Sequence, residues 1–349
     1  MQIQIEPFTV HKRVALTISR GTSTGTTNLW VRVIADGIEG WGEATPFSIG
    51  DETQTTEEIA RDLAALVPMM SSLHPIQQQM IESRLSGLSI CSAARAAIDV
   101  ALHDWMGKCF GVPLWQLWGL ELQRIGPTAV TVGINTPAGA VDRLRKWCEQ
   151  QQVNSVKVKL GSPEGIERDK QMLAALLPEM PKGAKVSVDA NGGWRLEEAI
   201  AMSRWLFEQG VTYLEQPLAV ADNKLLPNLY GQSPLPIYVD ESCFVSSDIP
   251  PLAHCVHGIN IKLMKSGGLS EAKRMIHTAR ACGLNVMFGC YSDSAISNTA
   301  LAHLSPLADH LDLDSHFNLK NDPFLGAQLK NGCLVPNAQP GLGLSHAQI

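Results

Sequence analysis

Eight short apolar runs recur between residues 128 and 313, and charged residues stand at their ends. The runs are TAVTVG (128–133), SVKVKL (155–160), KVSVD (185–189), VTYLE (211–215), PIYVD (236–240), GINIK (258–262), NVMFG (285–289) and DHLDL (309–313). Six of the charges, Lys159, Asp189, Glu215, Asp240, Lys262 and Asp312, fall about every 25 residues, with the last interval spanning two units. A charge closing an apolar strand is costly unless it has a partner or a task. Helical stretches lie between most runs, among them PAGAVDRLRKWCEQQ, EGIERDKQMLAALL, RLEEAIAMSRWLFEQG and SEAKRMIHTARACG. Strands alternating with helices at this pitch predict parallel βα units, and eight of them predict a closed barrel. The fifth helix is the weakest, because DIPPLAHCVHG carries two prolines.

A (β/α)8 barrel takes about 250 residues. The chain has 349, which predicts an appended domain. Residues 1–120 supply it. IQIEPFTV, TTNLWVRVIA and GIEGWGEA read as strands, with a hairpin turn at Ala35-Asp36-Gly37. EEIARDLAALVPMM and SAARAAIDVALHDWMGKCFG read as helices, the second capped by Ser92 and stopped by Gly111 and Pro113. The tail from about Asn321 to residue 349 is expected to pack back on this α+β unit, leaving 121–320 as the barrel.

A net charge of −6, with 18% charged residues, gives no reason to expect a nucleic-acid or membrane-surface partner. No apolar run approaches the ~20 residues of a membrane span. The start, MQIQIEPFTVHKR, lacks the apolar stretch of a signal peptide. Eight scattered cysteines without a C-x-x-C pair fit a reducing cytoplasm.

Catalytic groups of a parallel barrel project from the C-terminal ends of its strands. Lys159 ends the second strand and Lys262 the sixth, opposite each other in a ring of eight. Asp189, Glu215 and Asp240 end strands three, four and five between them. Three converging carboxylates repel and raise one another's pKa unless a hard cation relieves them. An all-oxygen set without His or Cys suits Mg2+ or Mn2+. Each alone would more often be a helix cap or surface ion-pair partner; three on consecutive strands favour a metal site. Lys157 and Lys159 share a strand face, and two like charges there are expected to lower each other's pKa, bringing Lys159 toward the range of a general base; the alternative is that both point outward to meet helices. Lys265, in the loop before Gly267-Gly268, is expected to support the metal site from outside or to meet solvent. A cation beside a substrate carboxylate, between two lysines, suits removal and return of an α-proton through an enediolate.

These residues resemble the enolase superfamily, muconate-lactonizing subgroup, over nearly the whole chain. The resemblance rests on K-x-K at 157–159, D-A-N at 189–191, L-E-Q-P at 214–217, D-E-S at 240–242, N-I-K-L-M-K-S-G-G at 260–268, the helix ARAAIDVALHDWMGKCFGVPLWQLWG and PGLGL at 340–344. It implies an α+β capping domain over a (β/α)7β modified TIM barrel with one Mg2+ per subunit, Mn2+ being an alternative. Asp189, Glu215 and Asp240 would be the ligands, supported by Asn191, Glu241 and Lys265. Asp312-Leu313-Asp314 is similar to the D-x-D of dipeptide epimerases, where it binds the free α-ammonium. Its bland alternative is an ion pair with a Lys or Arg on the rim.

Two capping loops, 16–26 and 46–53, would close the site, with Arg20 placed to accept a side-chain carboxylate or to remain solvated. Lys157, Thr131 and Ser292 complete the expected substrate contacts. Gly289-Cys290-Tyr291-Ser292-Asp293-Ser294 departs from the Met and acidic residue common in relatives, which bears on side-chain preference. The resemblance thus implies two-base inversion of the C-terminal residue of a dipeptide by Lys159 and Lys262, in a homo-oligomer. An o-succinylbenzoate synthase, N-acylamino acid racemase or cycloisomerase would share the lysines and metal ligands but not the need for Asp312 and Asp314. A barrel that has lost catalysis would not be expected to keep all five groups.

Overall fold

A computed structural model describes residues 1–49 and 52–347. Alternating apolar and polar residues carry β1 (Gln2–Ile18) antiparallel to β2 (Gly21–Ala35), and β3 (Ile38–Ala44) pairs with the second half of β2. Asp36 (φ 54°) and Gly37 (φ 74°) make the β2–β3 turn, both with the positive φ that suits strand twist. The expected loop over 16–26 is instead mostly ribbon. Leu16, Thr17 and Ile18 pair with Ser23, Thr22 and Gly21, and the Thr17 and Thr22 hydroxyls lie 2.8 Å apart, leaving Ser19 and Arg20 at the tip. β-Branched residues and the cross-strand hydroxyl bond extend the pairing. The 46–53 segment is a second hairpin, β4 (Phe47–Ile49) with β5 (Glu52–Gln54); residues 50 and 51 lie outside the described residues.

Helices α1 (Thr56–Met70), α2 (Gln78–Ser86) and α3 (Ser92–Phe110) cover the sheet. Thr55 and Glu58 form a capping box at α1. The N-cap of α3 is Cys91, not Ser92. The Ser92 hydroxyl instead donates to Met264 O at 2.6 Å, a tie to the barrel that outcompetes a local cap. Gly111 (φ 70°) ends α3 in the left-handed conformation. β3 lies directly on α3: a Cβ at Gly40 or Gly42 would stand 2.0 Å from Ala101 O or Ala97 O.

After the short α4 (Leu114–Leu117), the barrel follows as β6 (Val130–Val132), α5 (Pro137–Gln150), β7 (Ser155–Lys159), α6 (Ile166–Leu176), β8 (Lys185–Asp189), α7 (Leu196–Glu208), β9 (Leu214–Glu215), α8 (Leu226–Tyr230), β10 (Ile237–Val239), β11 (Gly258–Ile261), α9 (Leu263–Ser266), α10 (Leu269–Ala281), β12 (Asn285–Phe288), α11 (Ala295–Leu304) and β13 (His310–Leu311). The eight strands hydrogen-bond in sequence order, and a parallel bridge from Thr128 to Leu311 joins the first to the last. Between β10 and β11 the chain makes only single 3-10 turns, at Ser246–Asp248 and Pro250–Leu252, as the prolines there require. The fold is the expected (β/α)7β barrel with an α+β cap.

The tail returns to the cap. Asn321 accepts from His11 N and donates to Thr9 O. β14 (Phe324–Leu325) pairs with β17 (Ser345–His346) after a hairpin of β15 (Gln328–Lys330) and β16 (Cys333–Val335), and the Phe324 ring meets Trp30 edge-on at 4.8 Å. Among the described residues no helix is long and apolar enough to cross a membrane.

Candidate active site

The parallel register sets the predicted charges in one row. Lys159 stands beside Asp189 and Asp189 beside Glu215. Asp240 follows β10, Lys262 follows β11, and Asp312 and Asp314 follow β13. All are buried at the C-terminal mouth of the barrel. The row is a network of lysines and carboxylates. Lys159 Nζ lies 2.5 Å from Asp189 Oδ2, and Lys262 Nζ lies 2.7 Å from Asp240 Oδ2. Lys157 Nζ lies 2.5 Å from Glu215 Oε2, 2.6 Å from Asp312 Oδ2 and 4.0 Å from Asp189 Oδ2.

Lys157 therefore departs from the sequence expectation. Burial opposes its charge, but Asp312, Glu215 and Asp189 outweigh burial and raise its pKa well above the ordinary value. Its ammonium faces the carboxylates of Glu215 and Asp312 and is held protonated rather than tuned down by Lys159. Burial also opposes charge on Lys262, and Asp240 and Glu241 hold it protonated. Burial is likewise overcome at Asp240, which Lys262 and Lys265 keep well below the usual carboxylate range. Glu215 goes the other way: burial and the charges of Asp189 and Asp240 push it up to about 7.

Lys265 is in the one-turn helix α9, not in a loop, and is buried. Its ammonium reaches Asp240 Oδ1 at 2.6 Å and donates to the carbonyls of Asp240, Cys243 (3.0 Å) and Asn260 (3.1 Å). Asn191 donates from its backbone to Asp189 Oδ1 and from its amide to Asp189 Oδ2 and Glu241 Oε1. Arg20, at the tip of the β1–β2 ribbon, donates from Nη1 to Glu241 Oε1 (2.8 Å) and Asn191 O (3.0 Å).

Asp314 Oδ2 accepts from Thr131 N at 2.6 Å, while Asp312 Oδ1 accepts from the Thr131 hydroxyl at 3.3 Å. Burial and the neighbouring Asp312 push the Asp314 carboxyl up to about 6. These carboxylates line a cavity of about 80 Å3 with Lys12, Lys159 and Arg143. A second cavity, of about 380 Å3, lies over Lys159 and Lys262 and is walled by Leu16, Ile18, Phe47 and Tyr291, with Ser292 at its edge. Tyr291 stacks on Phe47 (4.9 Å, 6° between planes) and covers the Lys262 ammonium at 4.6 Å.

Asn260 and Lys12 were not anticipated as site residues, whereas Phe47 and Tyr291 lie in the 46–53 and 289–294 segments expected at the site without having been singled out. Asn260 donates to Glu215 Oε1 at 2.7 Å. Lys12 shares the buried face of β1 with Val10, and a lysine in phase with inward apolar residues was the signal available.

The residues suit a hard divalent cation. Asp189, Glu215 and Asp240 offer oxygen alone. Glu215 Oε2 and Asp240 Oδ1 are buried without a hydrogen-bond donor in good geometry, although lysine ammoniums lie within ion-pair distance of both. The raised Glu215 carboxyl marks a cluster short of positive charge. Among the described residues no three such groups are already gathered at ligand spacing; a lysine reaches each carboxylate instead.

A barrel with a capping α+β domain and opposed lysines flanking three carboxylates defines the enolase class of barrel proteins. Residues 4–119 match the mandelate racemase / muconate lactonizing enzyme N-terminal domain, and residues 139–348 match the enolase C-terminal domain-like family. The chain belongs to this family. It is 42% identical to a hydrophobic dipeptide epimerase of Flavobacteria bacterium (strain MS024-2A), over 98% of this chain and 97% of the relative. It is 34% identical to an L-Ala-D/L-Glu epimerase of Bacteroides thetaiotaomicron, over 99% and 88%. A dipeptide epimerase from Enterococcus faecalis V583, solved with Mg and L-Leu-L-Tyr, superposes with a TM-score of 0.92 at 29% identity, covering 99% of both chains.

Proposed function

We propose that this protein is a Mg2+-dependent dipeptide epimerase that inverts the α-carbon of the C-terminal residue. The observation that carries the reading is the placement of Lys159 and Lys262 on β7 and after β11, four strands apart, with the carboxylate row between them. Asp189, Glu215 and Asp240 would hold the cation, which supplies positive charge to the substrate carboxylate as the α-proton leaves. Lys159 and Lys262 then act on opposite faces of the α-carbon. One amine takes the proton as the C–H bond breaks and its electron pair moves into the carboxylate as an enediolate. The other ammonium returns a proton to the far face. Asp240 holds Lys262 protonated, so any positive charge placed on Asp240 loosens that hold and favours the free amine. Asp314, with the Thr131-bound oxygen of Asp312, would take the α-ammonium of the N-terminal residue. Leu16, Ile18, Phe47 and Tyr291 would accept an apolar C-terminal side chain, in keeping with Arg20 being engaged by Glu241.

The test is proton exchange in D2O with Mg2+ across a set of L,L and L,D dipeptides, repeated after chelation. Deuterium at the C-terminal α-carbon, lost with chelator and restored by Mg2+, is expected. Exchange with none of the set would overturn the reading. One observation favours a second reading, a racemase or cycloisomerase whose substrate has no ammonium: Lys157 already neutralises Asp312. Full activity in Asp314→Asn would select it.

A further inference from the structure

Lys12 is 8% exposed and stands where the two cavities meet, lining both the small one with Asp312 and Asp314 and the larger one over Lys159 and Lys262. Its ammonium touches two hydroxyls, Ser23 Oγ at 2.9 Å and Ser292 Oγ at 2.5 Å. Among the described residues it has no carboxylate within ion-pair distance, unlike Lys157, Lys159, Lys262 and Lys265. An ammonium has three donors, so one is left over. A buried cation with neutral partners alone is expensive to keep, and burial lowers its pKa here. Joining the cap to the barrel segment through Ser292 would account for two donors. It would not account for the charge, since a neutral donor makes the same bonds.

A dipeptide seated as proposed above spans both cavities. Its ammonium lies at Asp314 and its reacting α-carbon between Lys159 and Lys262. The group between these points is the peptide bond, whose carbonyl oxygen loses its water on entry and needs a donor. We propose that Lys12 is the donor for the substrate's peptide carbonyl, a binding residue that reads the amide linkage itself and is indifferent to either side chain. This rests on the epimerase reading, and it gives the chain a means of favouring amide substrates over carboxylic acids that lack the linkage.

The test compares L-Ala-L-Leu with its (E)-alkene isostere, which keeps the ammonium, the carboxylate and the planar spacing but lacks the carbonyl oxygen. Binding to the Mg2+-loaded protein is measured by calorimetry. Wild type is expected to bind the dipeptide at least about tenfold more tightly than the isostere, the range of a hydrogen bond from a charged donor. Lys12→Met should bind the two within about twofold. Its KM should rise by a similar factor for dipeptides of different side chains, with kcat nearly unchanged, as loss of uniform binding requires. A latch that only positions the cap would move kcat and leave the tenfold discrimination intact, which overturns the proposal. Should Lys12→Met not fold, Lys12→Gln, which keeps a neutral donor, should show intermediate discrimination; wild-type discrimination there would equally overturn it. Failure of the epimerase reading is separately visible: wild type would then neither bind the dipeptide nor exchange its α-proton, and both proposals fall together.

Discussion

Asp312 Oδ2 lies 2.6 Å from the Lys157 ammonium, and both side chains are buried where β13 closes on the barrel mouth. The pair joins the last strand to the second. Through Oδ2 Asp312 therefore supports the fold, and under the proposed reading its Oδ1 and the neighbouring Asp314, which among the described residues has no lysine within ion-pair distance, meet the ammonium. The two aspartates should separate experimentally. Asp312→Asn strands a buried cation and should lower stability by roughly 3 kcal/mol, the low end for breaking a buried pair because Glu215 still faces Lys157. Asp314→Asn should keep its bond to Thr131 N, leave the melting temperature within about 2 °C and raise KM about tenfold. Chemical denaturation and steady-state kinetics check both; equal stability losses would count against the division.

Lys159→Ala and Lys262→Ala should each lower kcat roughly 10³-fold, the scale of a lost general acid or base. Each variant should still wash deuterium into one epimer, because the surviving lysine still exchanges the proton on its own face. NMR of each isolated epimer in D2O checks this. Exchange from both epimers at the wild-type rate in either variant would remove that lysine from the chemistry.

Lys265 binds three carbonyls and one oxygen of Asp240. Lys265→Met leaves these acceptors buried and bare and should cost about 3 kcal/mol or more. Asp240 would also keep only Lys262 of its two lysine partners and lose the contact that orients Oδ1, so the Mg2+-induced rise in melting temperature should shrink in Lys265→Met but not in a surface control such as Lys170→Met. An undiminished Mg2+ shift would show that Lys265 only supports the fold.

His303 accepts from Trp115 N at its Nδ1 and donates from Nε2 to Leu342 O, so it sits neutral between α4 and the returning tail. Burial pushes its pKa down to about 4 from an ordinary 6.5. Below pH 6.5 the unfolded chain gains a proton that the native state refuses. This contribution is therefore full above pH 6.5 and lost as pH falls toward 4, by roughly 3 kcal/mol in all. Asp314 and Asp322, both pushed up to about 6, act in the opposite sense over the same window. The measurement is accordingly a difference: the melting temperature of wild type should fall relative to that of His303→Gln between pH 6.5 and 4. Parallel curves would refute it.

The barrel was legible because strand-end charges and helical spacing repeat at one pitch, and each repeat is read locally. The row from Lys159 to Lys262 followed from strand counting alone. Partner choice was harder to read. Lys157 sits two residues from Lys159 in sequence, which suggested mutual repulsion, yet its nearest charges come from β9 and the end of β13. Long-range pairing of that kind leaves no local mark. Ser92 failed for the same reason, its hydroxyl being claimed by Met264 across the cap–barrel seam. Lys12 comes from a cap strand, whose two-residue rhythm gives no hint of which face meets the barrel.

Gly40 and Gly42 press β3 so closely on α3 that no side chain fits at either position. They fix the base of the ribbon whose far end carries Ser19 and Arg20 over the barrel mouth. A lineage inheriting this arrangement can rewrite the tip without disturbing its mounting, since substitutions there meet Asn191, Glu241 and the cavity rather than the helix. The two glycines thus divide the cap into a part selection must hold constant and a part it can vary, and changes of substrate taste should accumulate at one end of a single hairpin.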